Sequence, residues 1–149
     1  MERRLVTMPL TSDRDIAEVL RSVKTIALLG ASHKPERPSY EVMTFLLDHG
    51  YTVIPVNPGL AGTKLQGQTV YESLEAIPQS VDMVDVFRNA SFLPAIVENT
   101  ISEGIGTIWT QLNVIDEAAA AHAESNGITI IMDRCPAIEW PRFRQSGLL

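Results

Sequence analysis

"TIALLGASHKPERPSYEV", residues 25 to 42, joins two patterns of different period across a single glycine. Thr25 to Leu29 is an uninterrupted apolar run of strand length ending at Gly30, which predicts a strand buried on both faces. Beyond the loop, Val42, Phe45, Leu46 and His49 fall on one helical stripe that stops at Gly50, where glycine takes a left-handed cap most cheaply. A strand, a glycine turn and a crossover helix make the unit from which parallel sheets are built.

The alternation continues in both directions. Upstream, Ile16, Val19, Leu20 and Val23 recur at helical spacing, and Ser12 with Asp15 forms a capping-box pattern, so a helix is predicted over Asp13 to Ser22. Downstream, "YTVIPVNP", "VDMVDVF", "TIWTQ" and "ITIIMD" read as four more strands. Helices are expected over Phe92 to Glu103, with Ser91 as N-cap and Gly104 as stop, and over Asp116 to Ser125, closed by Gly127. Gly59 to Pro78 reads as a long loop with one helical turn near Tyr71 to Ala76. Pro136 to Leu149 reads as a tail packed back through Ile138, Trp140 and Phe143, since a tryptophan is seldom left in water. Strands alternating with helices imply an α/β protein: a doubly wound, five-stranded parallel sheet with helices on both faces and the expected order 3-2-1-4-5.

A chain of 149 residues suits one domain with a core at about residues 12 to 135. It is 45% apolar and 20% charged, as in globular proteins, and its net charge of -6 disfavours a nucleic-acid partner. Cys135 is the lone cysteine, and no basic-then-apolar segment opens the chain, so a reducing, cytoplasmic setting is expected. The apolar runs are of strand length and too short to cross a membrane.

In an open parallel sheet, ligands bind at the carboxyl ends of the strands where the order reverses, here expected between strands one and four. The strand ends are Gly30-Ala31-Ser32, Val56-Asn57-Pro58, Phe87-Arg88, Trp109-Thr110-Gln111 and Asp133-Arg134-Cys135. A dinucleotide site would carry three spaced glycines after strand one and an acid after strand two. Gly30 is the only glycine of its turn, and Asn57 stands in place of the acid, so a nicotinamide cofactor is disfavoured.

Turn amides and the next helix N-terminus still suit a phosphate, with Ser32, Ser39 and Tyr40 adding hydroxyls. His33, Lys34, Arg37 and Arg88 gather positive charge on an acidic chain, with Lys64 available from the long loop. The three histidines lack metal-ligand spacing, and no catalytic triad can be assembled. Asp82 and Asp85 flank strand three, where a carboxylate serves either as a base or as an acceptor for backbone amides.

The blocks "LLGAS", "GYTVIPVNPG", "VYESLEAIP", "VDMVDVFR", "IWTQLNV" and "MDRCPAIE", in this order between Lys24 and Glu139, resemble the stand-alone CoA-binding domain family. That family is similar to the N-terminal, Rossmann-like domain of the succinyl-CoA synthetase alpha subunit. The resemblance implies coenzyme A as the cofactor. Gly30-Ala31-Ser32 would cradle its phosphates and Val56-Asn57-Pro58 would border the adenosine. Phe87-Arg88 and Trp109-Thr110-Gln111 would line the rest of its path. The synthetase has a lysine where this chain has Leu60, so Lys64, Lys34 or Arg37 would substitute for it. The synthetase's phosphorylated histidine belongs to a second domain, so no catalytic residue carries over, and the expected function is binding CoA or an acyl-CoA. The rival expectations are an enzyme acting on an acyl-CoA through Asp85, Gln111 or Cys135, an NAD(P)-type nucleotide-binding protein, and a subunit that docks through Trp140 to Phe143 to regulate a larger CoA enzyme; a homo-oligomer is the other partner expected.

Overall fold

The computed structural model describes residues 9–149. Its first helix, α1 (Asp13–Ser22), begins where expected, with the Ser12 hydroxyl accepting from the Asp15 amide at 3.4 Å and Ile16, Ala17 and Leu20 buried. Strand β1 (Thr25–Leu29) leads through the Gly30 turn to α2 (Pro38–Asp48) and β2 (Thr52–Val56). The two-residue strands β3 (Lys64–Leu65) and β4 (Gln68–Thr69) follow, then β5 (Met83–Val86), α3 (Leu93–Ser102) and β6 (Thr107–Thr110). The chain closes with α4 (Glu117–Ser125), β7 (Thr129–Ile131) and α5 (Pro136–Gln145).

The main sheet has five parallel strands in the order β2-β1-β5-β6-β7, a Rossmann-like α/β arrangement. Successive residues of each strand enter opposite cores. Ile26 and Leu28 of β1 meet Ile16, Leu20, Met43, Leu46 and Phe143 on the face covered by α1, α2 and α5. Ala27 and Leu29 meet Leu93, Val97, Ala120 and Ala123 on the face covered by α3 and α4. Burial on both faces explains why these strands read as unbroken apolar runs.

Counting only the five long strands, their order is 2-1-3-4-5 rather than the expected 3-2-1-4-5. The third, β5, pairs with β1 on the side away from β2. The Asp82 carboxylate accepts from the Lys24 and Thr25 amides at 2.9 Å each, and its own amide donates to the Thr25 carbonyl, which fastens the start of β5 to the start of β1. Beside the end of β2 runs Tyr71, whose amide donates to Pro55 and whose carbonyl accepts from Asn57.

Three local expectations also change. Over Tyr71 to Ala76 no helix forms beyond a turn, in which the Ala76 and Ile77 amides donate to the Ser73 and Leu74 carbonyls, and the loop also contains the unexpected β3–β4 hairpin, turned by Gln66 and Gly67 at φ 49° and 81°. Such a pair of positive angles suits the right-handed twist of a tight hairpin. The N-terminal cap ahead of α3 is Asn89, which accepts from the Ser91 amide at 2.9 Å through a short 3-10 turn, so Ser91 is not the cap. The C-terminal tail is a helix: Phe143 is fully buried and Trp140 partly so, but Ile138 is 53% exposed instead of packing back.

Candidate functional site

Because the strand order reverses between β1 and β5, the crevice opens there and not between strands one and four. Gly30, at φ +88°, stands against β5 so closely that a Cβ on it would lie 2.5 Å from the Phe87 carbonyl oxygen. Only glycine fits both the angle and the approach. The Gly30 and Ala31 amides donate to the Val56 carbonyl at 3.1 and 3.2 Å, so they are spent on joining the first two strand ends. Asn57 completes that joint, donating through Nδ2 to the Ala31 carbonyl and accepting through Oδ1 from the Gly59 amide, both at 2.7 Å.

The Gly30 and Ala31 amides are therefore not free for the expected phosphate cradle, and the open amides lie further along the turn. Among the described residues, the Ser32 and His33 amides enter no hydrogen bond, while the Lys34 amide is held by the Ser32 hydroxyl at 3.1 Å. The Ser39 amide, in the first turn of α2 behind Pro38, likewise has no acceptor. Open N–H groups and a helix N-terminus suit an anion without needing a special side chain.

The crevice has two halves that share Gly30, Ser32, Arg37, Phe87 and Arg88. One, of about 700 Å³, extends past Lys34 and Val56-Asn57-Pro58 to Leu74, Phe92 and Ile96. The other, of about 640 Å³, extends past Ser39 and Val42 to Gln111, Val114, Cys135 and Ile138. Both volumes are in the range of small-molecule sites. Lys34, Arg37 and Arg88 form no ion pair among the described residues, and the Arg88 guanidinium lies 4.1 Å over the Phe92 ring. Unpaired cations around apolar walls suit a long ligand with an anionic centre.

Several expected site residues stand elsewhere. Trp109 is fully buried and donates through its indole N–H to the Arg134 carbonyl at 2.7 Å, so it braces the strand ends without lining the groove. Thr110 is buried as well; its hydroxyl donates to the Val114 carbonyl at 2.7 Å and accepts from the Asp133 amide at 2.9 Å. The alternation along β6 turns these two residues into the two cores, and Gln111 is the first of the three to reach the cavity. His33 lies outside both halves, as does Tyr40, which packs on the core. Lys64 reaches Thr69 across the hairpin at 3.1 Å and lines neither half.

Asp85 does not line the crevice. It faces inward between Leu28 and Trp109, is fully buried with neither carboxyl oxygen hydrogen-bonded, and burial pushes its carboxyl well above the usual carboxylate range. Among the described residues, no cluster of three or more His, Cys, Asp or Glu side chains is arranged to hold a metal, and no helix is long and apolar enough to cross a membrane.

A family model described as CoA binding domain matches residues 24–141, most of the chain. The chain belongs to the CoA-binding domain family. Uncharacterized protein YneT of Bacillus subtilis strain 168 is 35% identical over 124 residues, covering 83% of this chain and 90% of its own. A protein of Pyrococcus horikoshii OT3 of known structure superposes with a TM-score of 0.84 at 38% identity, covering 95% of this chain and 98% of that one. The alpha subunit of ADP-forming acetate–CoA ligase I from Pyrococcus furiosus is 29% identical over 128 residues. That match takes in 76% of this CoA-binding domain chain but only 28% of the ligase subunit.

The crevice residues that sequence reasoning missed come from segments outside the strand ends. Leu74 arrives on the long loop, Phe92 and Ile96 lie on and before α3, and Val114 and Ile138 flank the far half. Exposed apolar residues near a predicted strand end are the signal that was available for Phe92 and Ile138, which are 46% and 53% exposed.

Proposed function

We propose that this chain binds coenzyme A or an acyl-CoA across the β1/β5 crevice, as a small binding or regulatory protein. The observation that carries the proposal is the meeting of unpaired Arg37, Arg88 and Lys34 with open turn amides at the strand-order reversal of a CoA-binding family member. In this reading the pyrophosphate sits over the Ser32 turn with Arg37 and Arg88 beside it. The adenosine end takes the half bordered by Asn57, Leu74 and Phe92, where the apolar walls suit a base. The pantetheine arm takes the half bordered by Phe87, Gln111 and Val114. Lys34 and Arg37 replace the cation missing at Leu60, since Lys64 is turned to the hairpin.

Calorimetry with CoA tests the assignment. Arg88→Ala removes a charge shared by both halves, and a lost charge-assisted contact of about 2 kcal/mol corresponds to a loss of affinity of roughly thirtyfold. Ser32→Tyr fills the turn and abolishes binding. Unchanged affinity in both variants would remove the crevice from consideration.

A further inference from the structure

The far half of the crevice contains a thiol that the binding of CoA does not itself require. Cys135 lines this cavity together with Gln111 and Ser39. It is the N-cap residue of α5, yet its side chain makes no capping bond, and the next residue, Pro136, has no amide hydrogen to attract it. The sulfur thus enters no hydrogen bond, although Cys135 is largely buried beside the core, while the backbone around it is held firmly. The Ile138 and Glu139 amides donate to the Cys135 carbonyl at 3.0 and 2.9 Å, the Arg134 amide donates to the Thr110 carbonyl at 3.1 Å, and the Trp109 indole holds the Arg134 carbonyl.

A second observation marks the same cavity as built for a ligand. Gln111 is only 7% exposed, and its buried Oε1 has no hydrogen-bond partner. An unpaired buried acceptor of this kind is costly unless something donates to it. The amide N–H groups of a pantetheine arm are donors of the right kind. Cys135 follows β7 and lines the same cavity as Arg88, which stands at the reversal point. A pantetheine arm anchored at Arg88 runs along this cavity with its sulfur leading.

Building on the CoA-binding reading, we propose that Cys135 is a thiol–disulfide exchange site that forms a mixed disulfide with the thiol end of CoA. The co-reactant is CoA disulfide. The Cys135 thiol gives its proton to water, and its sulfur attacks one sulfur of the CoA disulfide. The S–S bond breaks as the Cys135–CoA bond forms, and the departing CoA thiolate takes up a proton. Cys135 is oxidised and one CoA sulfur is reduced, so no other oxidant is needed. A small thiol reverses the step. Occupancy of the crevice thereby becomes covalent under oxidising conditions and reversible under reducing ones.

The test uses the reduced full chain, CoA disulfide and, in parallel, glutathione disulfide, followed by intact-mass spectrometry. The expected adduct adds the mass of one CoA less two hydrogens, is absent in Cys135→Ser, and disappears on reduction. CoA disulfide is expected to react roughly tenfold or more faster than glutathione disulfide at equal concentration, because the crevice raises its effective concentration at the thiol. That preference is lost in Arg88→Ala. Equal rates for the two disulfides would mean an accessible cysteine without guidance from the crevice, and would overturn the proposal. No CoA adduct in a protein that binds CoA by calorimetry would overturn the exchange site and leave the binding reading standing. Failure of CoA to bind in calorimetry would overturn both.

Discussion

Replacing Gly30 by alanine separates two costs that are usually confounded, because Gly50 provides a matched control. Both glycines have positive φ, +88° and +91°. A side chain in that backbone region costs about 1–2 kcal/mol, and the lower unfolded-state entropy of alanine returns about 0.4–1 kcal/mol at either position. These contributions cancel when the two variants are compared. What differs is space: the new Cβ at Gly50 meets nothing within 4 Å, whereas at Gly30 it lies 2.5 Å from the Phe87 oxygen, where ordinary contact begins at 3.4 Å. Phe87 cannot easily withdraw, since its amide donates to the Leu29 carbonyl at 2.8 Å and β5 is a central strand. Overpacking against a fixed backbone costs about 1–3 kcal/mol. Gly30→Ala should therefore be less stable than Gly50→Ala by that amount in urea unfolding, with an unchanged slope. Equal destabilisation of the two variants would refute the close approach at the strand reversal.

Asp85→Asn should stabilise the protein in a pH-dependent way. Burial raises the folded-state Asp85 pKa, so above the ordinary carboxylate range the folded chain holds a proton that the unfolded chain has released. Native Asp85 then costs stability increasingly as pH rises from about 4 through its folded value. The gain from Asp85→Asn should be smallest near pH 4 and larger at pH 7.5 in thermal melts; a gain independent of pH would contradict the buried, unpaired carboxyl. Asp82→Ala removes the one carboxylate oxygen, Oδ2, that accepts from both the Lys24 and Thr25 amides and should lower stability by about 1–2 kcal/mol, read as an earlier urea midpoint. Asn57→Ala unties the first two strand ends and should weaken CoA about fivefold or more in calorimetry, as the Ala31 and Gly59 positions loosen. Full affinity in that variant would show that the joint does not shape the site.

The elements were legible because helical and strand periods are local. Asp13 to Ser22 reads as a helix from its own apolar spacing and its Ser12 cap, and the five strands from unbroken apolar runs between helices. The single glycine and the cations at Lys34, Arg37 and Arg88, which line the crevice, were equally visible in the sequence. The hairpin at Gln66-Gly67 carried a usable turn signal but had only two residues on each side to declare a strand.

By itself, then, the sequence determined a parallel α/β sheet and the glycine turn that borders its crevice. Tertiary structure decided where β5 lies, because pairing between distant segments rests on contacts such as Asp82 with Lys24 and Thr25, which no local period encodes. It also decided that Trp109 and Thr110 enter the cores while Gln111 faces the crevice, since which side of a strand meets which layer depends on the elements packed around it. The distant Ile138 and Cys135 join the same cavity for a related reason: α5 packs across β1 and α2 and brings its N-terminus to the strand ends.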